Sequence, residues 1–290
     1  MGILPAPGIP QSNPYNASKT PDRPLNKSGE FLETVLIKIG GSTLDATEFL
    51  PQLAESIKGI TGNFFPIIVH GGGKDIARQL DLQNKEYSFV EGMRVTDAHT
   101  VGVVQMVLSG DVNKRIVNAL QTSGVKSIGI SGVDCGFLIA SRMLVKGRDI
   151  GFVGQIDAID MTIIDLCRKN GIVVVVSPIS RDAHGNIYNV NADLAASEIA
   201  KKCRAEHLLF VSDVPGVKID NTVKSVIKIS EIEALIVSGQ ITGGMAPKVR
   251  SAAEAVLAGV NQVHICGWNG SGTLSKELGS STRTGTVILQ

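Results

Sequence analysis

Short, wholly apolar runs punctuate the chain from residue 34 onward: "TVLIKI" (34–39), "PIIVH" (66–70), "IVVVVS" (172–177), "HLLFVS" (207–212) and "QVHIC" (262–266). Runs without polar alternation suit strands covered on both faces, as in a mostly parallel sheet. Stretches with helical spacing lie between them, at 45–59, 73–82, 97–109, 111–123, 160–170, 191–204, 230–238 and 244–258. Strands alternating with helices predict an α/β layered fold with helices on both faces of the sheet. Ligands in such folds sit at the carboxyl tips of the strands, so the chemistry is expected in the loops that follow them. The polar, turn-rich stretch "ISRDAHGNIYN" (179–189) marks a seam near 180–190.

Composition narrows the picture without deciding it. The chain has 290 residues, 43% of them hydrophobic, enough for a full core in one large domain or two lobes. A formal net charge of +1 gives no global field that would draw nucleic acid or an anionic membrane. Four cysteines (Cys135, Cys167, Cys203, Cys266) are far apart and form no C-x-x-C, so they read as reduced core thiols in a cytoplasmic protein. No apolar run approaches the length of a membrane helix. The proline-rich, small and polar residues 1–30 read as a flexible tail.

The loops carry the candidate chemistry. "PIIVHGGGKDIARQL" (66–80) is a buried strand, three glycines and a helix. Such a loop builds either an esterase oxyanion hole or a phosphate seat at a helix N-terminus. The esterase reading needs a G-x-S-x-G elbow, and "GISG" at 129–132 has the wrong spacing. The P-loop, the G-x-G-x-x-G turn and the protein-kinase motifs are absent as well.

"VLIKIGGSTLD" (35–45) ends a strand on Lys38 with Gly40 and Gly41 after it. A lysine inside an apolar strand either snorkels or has an anionic partner. Two strand–glycine–helix units in tandem favour an anion cradle, because glycine lets backbone N–H groups approach a ligand. In "ITGGMAPKVRSAAEAVLAGV" (241–260), Lys248 lies near a helix N-terminus, where a cation opposes the dipole. That is either tolerance or a second phosphate-binding lysine. "YNVNADLAASEIA" (188–200) alternates Asn189, Asn191 and Asp193 before a helix, and a cap accounts for one of them. Arg94 in "EGMRVTD" (91–97) is either a carboxylate clamp or half of a structural ion pair.

Taken in order, Lys38-Ile39-Gly40-Gly41, His70–Gly73, Gly92–Thr96, Asn189–Asp193, Ser212–Gly216 and Gly243–Lys248 resemble the motifs of the amino-acid kinase family over residues 34–290. The resemblance implies a three-layer α/β/α sandwich with a mostly parallel central sheet. It also implies an N-terminal lobe (31–185) for the acid substrate and dimerisation, and a C-terminal lobe (186–290) for ATP. The nearest pattern is that of members phosphorylating the γ-carboxylate of N-acetyl-L-glutamate. Related kinases of carrier-linked aminoadipate or glutamate or of another amino acid, and a non-catalytic amino-acid sensor of the same fold, are the alternatives.

Carried over by motif, Lys38, Lys248 and Asp193 are the catalytic set. Gly72, Gly73, Arg94, Asn189 and Asn191 are expected at the acid, and Gly40, Gly41, Asp213, Gly216, Lys218 and Thr242 at the nucleotide. ATP with Mg²⁺ is the expected cofactor, with the ion held by phosphates and water rather than by a ligand cluster. A homodimer is the expected assembly. Residues 266–289 depart from the pattern by lacking an Asp-Gly-Arg and a following His, which weakens any case for arginine feedback.

Overall fold

The computed structural model describes residues 32–40, 44, 46–279 and 283–290. Gly41 and the predicted tail 1–30 lie outside the described residues. Along the chain come β1 (Glu33–Ile39), α1 (Phe49–Ile60), β2 (Phe64–His70) and α2 (Gly73–Leu82). A short hairpin follows, β3 (Phe89–Val90) and β4 (Met93–Arg94). One long helical rod comes next: α3 (Ala98–Gln105), a π-helical stretch Met106–Val112, and α4 (Asn113–Thr122). Then come β5 (Ser127–Ser131), β6 (Leu138–Val145), β7 (Arg148–Ile159), α5 (Thr162–Lys169) and β8 (Val173–Ser177). The hairpin β9 (Ile179–Arg181) and β10 (Ile187–Val190) leads into α6 (Ala192–Cys203) and β11 (His207–Ser212). Three short strands, β12 (Lys218–Ile219), β13 (Thr222–Val223) and β14 (Val226–Lys228), precede α7 (Ile229–Val237) and α8 (Met245–Leu257). The chain closes with β15 (Gln262–Gly267), α9 (Thr273–Leu278) and β16 (Thr286–Leu289).

The large sheet has the order β14-β16-β15-β11-β1-β2-β8-β5. Its five contiguous central strands, β15 to β8, are the five apolar runs of the sequence, and every pairing among them is parallel. Only β16 runs antiparallel to its β15 neighbour. Side-chain alternation along β1 splits the core in two. Val35, Ile37 and Ile39 pack with Leu53 and Ile57 of α1 and Ile116 of α4. Leu36 packs with Ala196 and Ile199 of α6 and Ala252 of α8 on the other face. This is the expected three-layer sandwich. The parity also settles Lys38, which falls on the α6 and α8 face.

Two expectations are corrected. The pattern predicted two helices, 97–109 and 111–123, broken near Gly110. The structure instead runs helically from Ala98 to Thr122 through the π segment, because Val107, Leu108 and Val112 bury their side chains across the supposed break. The stretch 123–160 yielded no strands, yet it holds β5 and the long β6–β7 hairpin. Those two strands pair with register shifts at Ile139/Ala140 and Arg142/Leu144, keep no regular alternation of buried and exposed positions along their length, and close a small barrel with β9 and β10. The polar stretch 179–189 forms most of the β9–β10 hairpin of that barrel.

The four cysteines are free thiols. Among the described residues, no helix is long and apolar enough to cross a membrane.

Candidate active site

The tips of β1 and β2 are tied together. Gly71 N donates to Ile39 O at 3.0 Å, and Gly40 N donates to Val211 O at 3.2 Å. The two glycine turns therefore lie side by side over the carboxyl end of the sheet. Gly72 caps α2 and Gly73 opens it, which presents a helix N-terminus with its positive dipole end. A side chain at Gly72 would come within 2.6 Å of Leu108 Cδ2, so only glycine leaves the π segment its place. Asp75 pins the helix from below: its buried Oδ1 lies 2.6 Å from Arg78 Nη2 and 3.0 Å from Arg115 Nη2 of α4.

A cavity of about 180 Å³ opens beside this turn, and Gly72, Gly73, Arg94, Asn189 and Asn191 all line it. Arg94 is 7% exposed, and its guanidinium stacks 4.4 Å from the Tyr87 ring centre and 4.7 Å from that of Phe89. Its Nη2 donates to Gly73 O at 3.0 Å, while Nη1 is buried with no partner among the described residues. Burial pulls the Arg94 pKa down, and the neighbouring Tyr87 partly offsets it. A buried guanidinium N–H left unpaired is costly, and a carboxylate is its best-shaped acceptor. Asn189 Nδ2 reaches Thr96 Oγ1 at 3.4 Å. Asn191 Oδ1 accepts from Asp193 N at 2.8 Å and from Leu194 N at 3.3 Å, so that oxygen is committed to capping α6.

The catalytic candidates meet on the α6 and α8 face. Lys38 Nζ lies 2.7 Å from Asp193 Oδ1 in a close ion pair, with the lysine side chain 12% exposed. Asp193 stands in the first turn of α6, where a carboxylate complements the dipole. Lys248, in the first turn of α8, places its ammonium 5.8 Å from the centre of the Phe210 ring. Burial lowers its pKa most; the charges of Asp193 and Asp213 oppose that fall, and Lys38 adds to it. The two lysines, drawn from opposite ends of the sequence, thus feel each other across one aspartate.

The nucleotide candidates are less gathered. Gly40 is buried at the tip of β1. Asp213 lines a second cavity of about 510 Å³ together with Gln52, Pro215 and Trp268. Gly216 is a close-approach position, since an added Cβ would meet Thr286 Oγ1 and Val223 Cγ1 at 2.8 Å. Lys218 and Thr242 are exposed, and with Gly216 they line neither cavity. No group of three or more His, Cys, Asp or Glu side chains among the described residues is placed to hold a metal ion. Asp193, part-exposed and close to both lysines, and Asp213, exposed and close to Lys248, offer hard oxygens that fit a Mg²⁺ keeping most of its shell from phosphate and water.

Sequence reasoning missed Tyr87, Phe89, Leu108 and Trp268. Aromatic residues close before an arginine were a usable signal for the first two, whereas the π segment that carries Leu108 has no sequence signature.

Glycine at the tips of β1 and β2, the Lys38–Asp193 pair with Lys248 near it, and a buried arginine gather donors that suit small anionic ligands. The sequence profile described as the amino acid kinase family matches residues 33–267, and the chain belongs to that family. It is 38% identical over 270 residues to an acetylglutamate kinase of Alcanivorax borkumensis, covering 88% of this chain and 90% of that one. It is 41% identical over 239 residues to an acetylglutamate kinase of Brachyspira hyodysenteriae, covering 80% and 82%. Among solved structures, the fold superposes on an N-acetylglutamate synthase of Neisseria gonorrhoeae with a TM-score of 0.79 at 24% identity, covering 89% of this chain and 59% of that one.

Proposed function

We propose that this protein is an enzyme that transfers the γ-phosphoryl group of ATP to the γ-carboxylate of N-acetyl-L-glutamate, the carboxyl-activating step on the route to arginine. The observation that carries the reading is Arg94. A buried guanidinium with an unsatisfied Nη1 lines a cavity together with the glycine turn it bonds to and with Asn191 and Ala192, the residues just before the Asp193 that pairs with Lys38. The kinship with acetylglutamate kinases supports the choice of acid.

In this reading Arg94 holds the α-carboxylate and Asn189 and Asn191 face the acetamido end. The γ-carboxylate lies at Gly72 and Gly73. Such a carboxylate is ionised at neutral pH, so no general base is needed for its oxygen to attack phosphorus. As the new O–P bond forms and the bond to the β-phosphate oxygen breaks, negative charge spreads over the transferring group. Lys38 and Lys248 stabilise that charge, and Asp193 keeps two cations close that would otherwise repel. Gly40, Gly41, Asp213, Gly216, Lys218 and Thr242 border the nucleotide in the 186–290 lobe and at the β1 turn, with the acid in the 31–185 lobe. Mg²⁺ bound to the nucleotide would neutralise phosphate charge. A homodimer in the cytoplasm completes the proposal; the free β5 edge, with Ile128 and Met106 exposed, and the four free thiols support it.

Hydroxylamine trapping tests the reading. Purified protein, ATP and Mg²⁺ are mixed with N-acetylglutamate, glutamate, aspartate or N-acetylaminoadipate, and hydroxamate is measured for each. Hydroxamate with N-acetylglutamate alone is the expected result. A signal from another acid would correct the substrate, and none from any acid would sink the kinase reading.

A further inference from the structure

His70, the last residue of β2, is fully buried beneath the glycine turn and has no part in the mechanism above. Its ring makes two contacts. Nδ1 lies 2.9 Å from Gly71 O, and Nε2 lies 3.3 Å from Asn113 Nδ2 at the start of α4. Asn113 can be oriented from its own surroundings. Its Nδ2 also reaches Val175 O at 3.0 Å and Ile130 O at 3.5 Å, two groups that only accept. Its Oδ1 receives Lys114 Nζ at 3.1 Å. The amide nitrogen is therefore the end turned to the ring, and it donates to Nε2. That leaves the proton on Nδ1, where the Gly71 carbonyl accepts it. Gly129 leaves room for this arrangement, since a Cβ there would lie 1.9 Å from Asn113 Oδ1.

The consequence runs through one peptide unit. The Gly71 carbonyl and the Gly72 N–H belong to the same planar trans amide and point in opposite directions. The unit before it is held as well, by Gly71 N donating to Ile39 O. We infer that His70 is a positioning residue: by holding the Gly71 carbonyl inward in a tautomer fixed by Asn113, it turns the Gly72 N–H outward to the cavity as a hydrogen-bond donor to the reacting carboxylate. The inference rests on the proposed role of the glycine turn. Burial, the largest influence, lowers the His70 pKa to about 4, so the ring stays neutral across the working range and Nε2 stays an acceptor.

The test has a readout independent of activity. ¹⁵N NMR of the imidazole in the full-length protein is expected to show a protonated Nδ1 and an unprotonated Nε2 for His70. The reverse pattern overturns the inference whether or not any variant folds. In kinetics, His70→Leu should lower kcat about tenfold or more, the weight of one lost positioning hydrogen bond, with the ATP affinity of the folded protein unchanged. His70→Asn, whose amide nitrogen can stand near the Nδ1 position, should recover much of that loss. A purely packing role predicts instead that Leu and Asn lose activity only in step with the folded fraction. Arg94→Lys separates the two readings. If it leaves the KM for the acid untouched, the cavity is not the acid site; if it raises KM while His70→Leu keeps native kcat, the His70 inference alone fails.

Discussion

The two cavities that hold candidate site residues are built on different principles. The smaller, of about 180 Å³, is walled by glycine backbone and a buried arginine clamped by two aromatic rings and a carbonyl. The larger, of about 510 Å³, is walled by loop residues around Asp213 and Trp268, and two further nucleotide candidates, Lys218 and Thr242, are exposed outside it. A small dicarboxylate offers few handles, so its donors must be fixed before it arrives. A nucleotide offers a ring, a sugar and three phosphates, and many weak contacts suffice to hold it. In the proposed reading the lysine pair is where the two substrates meet.

Substitutions can break that contrast in order of size. Lys38→Ala or Lys248→Ala should each lower kcat by about 10²–10³-fold, the usual effect of removing one fixed donor to a transition-state charge. Steady-state hydroxamate formation measures it, and a change confined to KM would remove the lysines from the chemistry.

Acid should loosen the acid-binding cavity from beneath. Burial holds the His70 pKa at about 4, against 6.5 for the free side chain. Below 6.5 the unfolded chain therefore takes up a proton that the folded one refuses. Stability is full above that pH and declines by roughly 3 kcal/mol as pH falls to about 4. Buried His264, also pushed down chiefly by burial, adds to the decline in the same direction. Urea unfolding between pH 7 and 4.5 should show it, and His70→Asn should flatten the slope.

Arg94→Lys exchanges a planar fork for a point charge and should raise the KM for the acid by about 10–100-fold, leaving that for ATP alone. Lys218→Ala, at an exposed position, should raise the KM for ATP by less than about fivefold. A large effect there would mean that the nucleotide side is as firmly built as the acid side.

Much of this contrast was visible in the sequence, for physical reasons. Strands covered on both faces must be apolar throughout, so β15, β11, β1, β2 and β8 announced themselves. β6 and β7, interrupted by register shifts, keep no regular period of buried and exposed positions, so no strand pattern announces them. The glycine turns were legible because backbone approach needs glycine at Gly72. The stack of Tyr87 and Phe89 on Arg94 depends on how the β3–β4 hairpin folds back, which no spacing encodes. The convergence of Lys38 and Lys248 on Asp193 depends on β1, α6 and α8 sharing one face of the sheet. Gly41 lies outside the described residues, and its place at the nucleotide rests on the motif alone.

That convergence is the central claim, and a double-mutant cycle tests it most directly. The rate of acyl-phosphate formation would be measured for the native protein, Lys38→Ala, Lys248→Ala and the double variant. Two lysines acting on one transferring phosphoryl group are coupled, so the double variant should lose far less than the product of the single losses. Losses that simply multiply would mean that the two ammonium groups act independently, and would contradict the account.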